Sequence, residues 1–364
     1  MTWQTFVSHP LMHDFGWPLV KIAVLLGAVF FVVAYIGWFE RRVLGFFQSR
    51  LGPNRVGPLG LFQPVADGLK LMLKEDLVPL NSHSFLYRIA PIFAFFPAFT
   101  GFAVISWALP WKLDGGYSFA FTVKDVDLGI LLILSLSSLS VFGLILGGWA
   151  SGSKYPLMGA MRSASQMLAY EIPLTLSVLS VILLAGSFRL SDIVAAQQGL
   201  GVAGLGGYKG IYFIIPGFVA FVVYLISAVA ETNRTPFDLP EGESEIIGFH
   251  TEYSGMRFAF FFVAEYANVV LICVVATCLF LGGYDIPFLN DAALYEAHPH
   301  LTSVLGIGAF AAKAALFAYF YVWIRATWPR YRYDQLLRVG WVVLLPVALA
   351  NLMVVALLKL WVLR

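Results

Sequence analysis

Charge is scarce in this chain. Of 364 residues only 12% are Asp, Glu, Lys or Arg, about half the share of an ordinary soluble domain. Apolar residues make up 60% and mean hydropathy is +0.81, which excludes a solvated globular domain and indicates a membrane protein. Cysteine is nearly missing too: Cys273 and Cys278 are the two present. They lie five apart in one apolar run, so they neither share a helical face nor have metal-ligand spacing, and packing roles are expected. No His/Cys cluster, Ser/His/Asp arrangement or phosphate loop is found. Gly199 to Gly204 reads GLGVAG but follows no strand, so it is not a dinucleotide fingerprint. Asn233-Arg234-Thr235 fits a glycosylation sequon but precedes proline and falls on the inner side by the charge count below. The two halves of the chain do not repeat one another, which argues against an inverted-repeat transporter. No metal, nucleotide or nucleic-acid site is expected, and any redox cofactor should belong to a partner.

What the chain has is apolar length. Runs near 19–39, 86–109, 128–149, 172–190, 211–230, 258–282, 303–325 and 340–361 approach or exceed the roughly 20 helical residues that cross a bilayer. The expected fold is therefore an all-α polytopic membrane protein with eight transmembrane helices, in one membrane domain spanning 1–364. The first run follows a tail with His9, His13 and Asp14 rather than a basic segment, so it reads as a retained helix. Orientation follows from Lys and Arg. Fifteen lie in the odd-numbered loops, at about 40–85, 150–171, 231–257 and 326–339, against seven in the even-numbered loops and both tails. The four basic loops should be cytoplasmic and both termini outside.

Within the first of these loops, Gln63, Asp67, Lys70 and Lys74 recur at steps of four, three and four between apolar neighbours. That spacing predicts an amphipathic helix over 61–74. At about 1.5 Å per residue it spans roughly 21 Å, too little to cross, and it is expected to lie along the cytoplasmic interface. The third loop, AETNRTPFDLPEGESE (Ala230 to Glu245), is the acidic one. Six carboxylates between Glu231 and Glu252 meet Arg234 and Arg257 alone in or beside that stretch, so pairing within it is incomplete. Crowded carboxylates raise one another's pKa and titrate together, a basis for passing protons or sensing nearby charge. Pro236 and Pro240 should hold PFDLP extended.

Other carboxylates sit in or beside the apolar runs: Glu40, Glu171, Glu231 and Glu265, with Lys313 in the seventh run. Each would cost about 2.5–3.5 kcal/mol facing lipid at mid-bilayer, so they are expected to be buried together, paired or hydrated. Sequence-local ion pairs are the plain alternative: Glu40 with Arg41 or Arg42, Glu171 with Arg162, Glu231 with Arg234. A cluster of Glu171, Glu231, Glu265 and Lys313 would suit a self-sufficient ion transporter.

Five stretches together resemble one family: Glu40 to Leu71 (ERRVLGFFQSRLGPNRVGPLGLFQPVADGLKL), Lys154 to Leu174 (KYPLMGAMRSASQMLAYEIPL), Ala230 to Glu245, His250 to Tyr266 (HTEYSG with FFVAEY) and Trp323 to Leu337 (WIRATWPRYRYDQLL). In order and length they resemble the family of the membrane-embedded H subunit of proton-pumping NADH:quinone oxidoreductase, respiratory complex I. The resemblance implies eight transmembrane helices in the bacterial cytoplasmic (inner) membrane. It implies a chamber shared with peripheral-arm quinone-module subunits, where quinone is the substrate. The chain would be part of a translocase and not catalytic alone. FMN and iron–sulfur clusters would reside in partner subunits, and small and antiporter-like membrane subunits would be further partners. Carried over, Glu40, Arg41, Asp67, Arg234, Glu241, Glu243 and Glu252 are chamber and loop positions, and Glu171, Glu231 and Glu265 form a charged path leading inward. The stretch EIIGFHTE, Glu245 to Glu252, is one residue shorter than the family pattern. The membrane subunit of an energy-converting hydrogenase shares parts of the pattern but lacks the complete 40–74 loop.

Overall fold

In hydrocarbon a backbone N–H or C=O finds no water, so apolar runs must satisfy their hydrogen bonds internally and become helices. In the computed structural model, which describes residues 16–112, 118–198, 213, 217–238, 248–287, 294–295 and 298–362, they do so. The helices are α1 (Trp17–Phe47), α2 (Gln63–Leu73), α3 (Ser84–Thr100), α4 (Gly129–Ala150), α5 (Lys154–Ala185), α6 (Leu190–Gln198), α7 (Phe218–Glu231), α8 (Gly255–Phe280), α9 (Pro299–Thr327), α10 (Tyr333–Arg338) and α11 (Leu345–Val362). A π-helical segment, Val339–Leu344, joins the last two. Strand pairing among the described residues is a two-residue antiparallel ladder, Trp111–Lys112 with Ser118–Phe119.

Seven of the described helical segments are long and apolar enough to cross a membrane. The fifth apolar run, expected at 211–230, yields α7, which has 14 residues and a length of about 21 Å. The amphipathic stretch folds as α2 with no buried residue; Phe62, Val65, Leu69, Met72 and Leu73 around it are all exposed.

The loops sort into two sets at opposite helix ends. At one end Arg257 pairs with Asp76 at 3.1 Å, Ser254 Oγ donates to the Glu75 carbonyl at 2.9 Å, Arg330 pairs with Asp238 at 2.8 Å and His83 N–H donates to the Ala150 carbonyl at 3.0 Å. These contacts join the four basic loops. At the other end Lys21 Nζ donates to the Thr122 carbonyl, Tyr295 Oη donates to the Pro110 carbonyl at 2.6 Å and Arg189 pairs with Asp125 and Asp127.

Core residues such as Tyr87, Ile105, Val181 and Leu279 are fully buried between α3, α4, α5, α7 and α8. Cys273 and Cys278 are free thiols inside that core. The helices α1 and α11 instead present large apolar side chains outward, including Val24, Phe31, Leu357 and Trp361.

Gly143 and Gly147, one helical turn apart, let α4 approach its neighbours. A Cβ at Gly143 would lie 2.6 Å from the Ala94 nitrogen on α3, and one at Gly147 would lie 3.1 Å from the Phe261 ring on α8. Gly27 in α1 has nothing within 4 Å of a Cβ. Gly143→Ala should therefore destabilise by about 1–3 kcal/mol through overpacking against backbone, whereas Gly27→Ala should be neutral or stabilising by up to about 1 kcal/mol. Detergent-denaturation midpoints of the two variants check the pair, and equal midpoints would contradict the close α3–α4 contact.

Candidate functional site

Glu40, near the end of α1, is 6% exposed. A carboxylate so buried needs cationic or donor partners, and they arrive from three other segments. Arg325 of α9 makes a close ion pair with it, Arg234 lies at 3.5 Å and Tyr266 Oη donates at 2.8 Å. The sequence-local partners are not used, because consecutive helical residues point about 100° apart. Arg41 turns to Asp67 of α2 at 2.8 Å, and Arg42 donates to the Pro53 and Leu59 carbonyls. Arg234 does not take Glu231 as its partner either. Its Nε sits 2.7 Å from Glu265 and its guanidinium lies over the Tyr266 ring at 4.3 Å. One arginine thus stands between two carboxylates, on α1 and α8. Among the described residues the cluster brings two positive groups to two negative ones, the pairing that buried charges require.

The described backbone around Arg234, as far as Asp238, forms a turn; the rest of PFDLP lies outside the described residues. Asn233 adopts left-handed φ of +52°, a conformation asparagine tolerates better than most residues, and its amide donates to Ser163 Oγ at 2.9 Å. Phe237 N–H then donates to the Arg234 carbonyl at 2.8 Å, closing a turn that contains a cis Thr235–Pro236 peptide. The reason is the Phe237 ring, which is buried between Tyr170 and Tyr331, each 5.5 Å away. Burying that ring folds the segment back onto the bundle. Pro240, Glu241, Glu243 and Glu245 lie outside the described residues, as does the GLGVAG stretch.

Behind the cluster the remaining path carboxylates come together. Glu171 accepts a close hydrogen bond from Ser138 of α4. Glu231 bonds to Ser137 and lies within electrostatic range of Glu171. Two cavities of about 40 Å³ each share Met167, Glu231, Thr232 and Asn268 in their walls. One adds Glu265, Asn233 and Ser140; the other adds Ser137 and Tyr224 among aliphatic side chains. Each is large enough to hold water. Glu265 and Glu231 therefore border one cavity, whose wall is mostly apolar.

Other predicted positions stand apart. The Arg41–Asp67 pair is largely exposed, and Glu252 is exposed, its carbonyl taking the Tyr87 hydroxyl at 2.7 Å. Lys313 does not join the glutamates. Its ammonium donates to the carbonyls of Leu281, Gly283 and Asp285 at 2.6, 3.1 and 2.6 Å, just past the far end of α8, about 24 Å along that helix from Glu265. Among the described residues no group of three or more His, Cys, Asp or Glu is placed to hold a metal. Sequence reasoning overlooked Arg325 and Tyr266 as site residues. Arg325 counts among the basic residues and lies in the stretch Trp323 to Leu337, and Tyr266 ends the stretch His250 to Tyr266, but neither is given a role, because nothing local points from either towards Glu40.

His250 packs among Phe249 and Phe258, and burial pushes its imidazole below the usual range, with Glu265 acting in the opposite direction. The unfolded chain then takes a proton at higher pH than the folded one. The corresponding stability is complete above about pH 6.5 and is lost as pH falls toward the folded value. His250→Asn should lose less stability on acidification than the parent in thermal unfolding, and parallel pH dependences would refute this. Glu40→Gln, which leaves Arg234 and Arg325 without their shared anion, should cost about 3–5 kcal/mol. Asp67→Asn, on the exposed pair, should cost about 1 kcal/mol or less. Denaturant titration of the two variants decides between them.

A family profile described as NADH dehydrogenase matches residues 20–356. The chain is 46% identical over 362 residues to the H subunit of the NADH-quinone oxidoreductase of Thermomicrobium roseum, covering 99% of this chain and 98% of that protein. It is 45% identical over 346 residues to an H subunit of the NADH-quinone oxidoreductase of Geobacter metallireducens, covering 95% and 97%. With a profile match and relatives that run nearly end to end, the chain belongs to the NADH dehydrogenase family, in which it stands beside the H subunits of NADH-quinone oxidoreductases.

Proposed function

We propose that the chain is the quinone-chamber membrane subunit of a proton-translocating NADH:quinone oxidoreductase, and that it couples quinone reduction to charge movement through buried carboxylates. The observation that carries this reading is Arg234 standing between Glu40 and Glu265. Reducing a quinone to quinol takes two electrons and two protons. The electrons come from an iron–sulfur centre of a partner, and FMN also belongs to partners. Proton demand beside Glu40, Arg41, Asp67 and the acidic loop with Glu241, Glu243 and Glu252 changes the local charge. Arg234 answers by shifting its weight between its two carboxylates. A carboxylate that loses its cation rises in pKa, so Glu265 takes up or releases a proton. The change then passes across the shared cavities to Glu231 and Glu171, and on to small and antiporter-like membrane subunits. The peripheral-arm quinone-module subunits would complete the chamber, with the exposed apolar face of α2 beside the opening through which quinone leaves the lipid.

In this reading α7 is the eighth crossing of one membrane domain. It starts beside the far end of α5, where Leu184 approaches Gly217, and it ends at Glu231, in the basic-loop layer. Eight crossings place both termini on one side, outside the cytoplasm of a bacterial inner membrane. A stand-alone transporter is less well supported, since Lys313 is bound far from the glutamates.

Glu265→Gln, Glu241→Gln, Glu243→Gln and Arg234→Gln in the intact complex should each lower quinone-dependent turnover and proton pumping together, by about tenfold or more. NADH oxidation by a soluble artificial acceptor should be unchanged. Parental quinone turnover in all four, with normal assembly, would overturn the proposal.

A further inference from the structure

We propose that Gln166 is the positioning residue for Arg234, holding the segment that carries it at both ends; the inference rests on the coupling role proposed above. Gln166 is fully buried in the middle of α5. Its Nε2 donates to the Ala230 carbonyl at 2.7 Å and to the Phe237 carbonyl at 2.7 Å. Those carbonyls bracket Arg234, four residues before it and three after. Both contacts are oxygens, so the amide nitrogen must face them.

Neighbouring residues on the same face of α5 add to the grip. Ser163 takes the Asn233 amide at 2.9 Å. Tyr170 donates to the Leu336 carbonyl at 2.9 Å and meets the Phe237 ring. Positions 163, 166 and 170 form one helical stripe. A helical stripe is rigid compared with a loop, so Arg234 inherits α5 as its reference frame. The side-chain chemistry is specific, because a neutral primary amide puts two N–H donors on one nitrogen. A carboxylate at the same length offers none, and a thioether of similar size offers none. The rival view is that Gln166 merely satisfies two carbonyls, as any buried donor would. The placement argues otherwise: the bonds close a loop whose arginine spans two helices, where a shift of about 1 Å costs roughly 100-fold in a positioned reaction.

The test uses the intact complex with Gln166→Met, Gln166→Glu and Arg234→Gln. Gln166→Met should assemble but lose about tenfold in quinone-dependent kcat. The acid limb of its pH–rate profile should move to higher pH, because Glu40 and Glu265 lose a well-placed cation. Gln166→Glu should be impaired at neutral pH and partly recover on acidification, when its protonated carboxyl regains one donor. Gln166→Met with parental kcat and profile, or with lowered thermal stability alone, overturns the inference, as does Gln166→Glu without acid-side recovery where Gln166→Met fails to assemble. Arg234→Gln with parental activity would instead bring down the coupling role itself. An inactive Arg234→Gln beside a normal Gln166→Met would refute the positioning role only.

Discussion

Every charge inside this bundle needs a partner within reach, and that requirement organises one end of the molecule. A carboxylate on α1 can be buried only if cations come to it, and none of its chain neighbours points the right way. Glu40 therefore recruits Arg325 from α9 and Arg234 from the turn after α7, while Arg234 is also committed to Glu265 of α8. Four separate segments are fastened by one ion-pair cluster. Removing any member leaves another charge stranded, which is the expensive outcome for a buried pair. The arrangement contributes more to fixing which helix ends meet than to net stability.

The parts of the fold that were legible in the sequence are those governed by local physics. Helix positions followed from apolar length, and the grouping of basic loops at one end followed from charge counts. A helix within 61–74 was legible in its polar spacing, and α2 forms over Gln63–Leu73. Long-range choices were not legible. Glu40 next to Arg41 and Arg42 reads as a pair, but a helix sends them to different faces. Glu171 and Arg162 are separated by roughly 13.5 Å of helix rise, so Glu171 takes a serine of α4. PFDLP reads as a stiff extended stretch because proline restricts local geometry. In its described part, Pro236–Asp238, the Phe237 ring is buried between two tyrosines that the sequence places far away, a contact not legible from local geometry.

The ends of the bundle do different jobs with similar chemistry. At the far end Lys313 meets three backbone carbonyls beyond the end of α8, a place where helix-terminal oxygens lack partners and carry partial negative charge. There it fastens a helix end, with three carbonyl acceptors among its partners. Arg234 faces two carboxylates on different helices. A cation bound to carbonyls has one state available, whereas one shared between two titratable groups has several.

That distinction explains why arginine suits position 234. Its guanidinium stays charged at any working pH and offers donors along more than one edge, so it can hold Glu265 through Nε and approach Glu40 through Nη1 while stacking over Tyr266. A lysine would concentrate its charge at one point and could satisfy one carboxylate well at a time. With the cation permanently charged, the coupling proposed above would leave the protonation of Glu40 and Glu265 as the variable in the cluster, each linked to the other through the same guanidinium. Coupling between the two sides of the cluster then needs no large motion, only a backbone that keeps Arg234 centred, and the buried stripe on α5 is where such a constraint can come from.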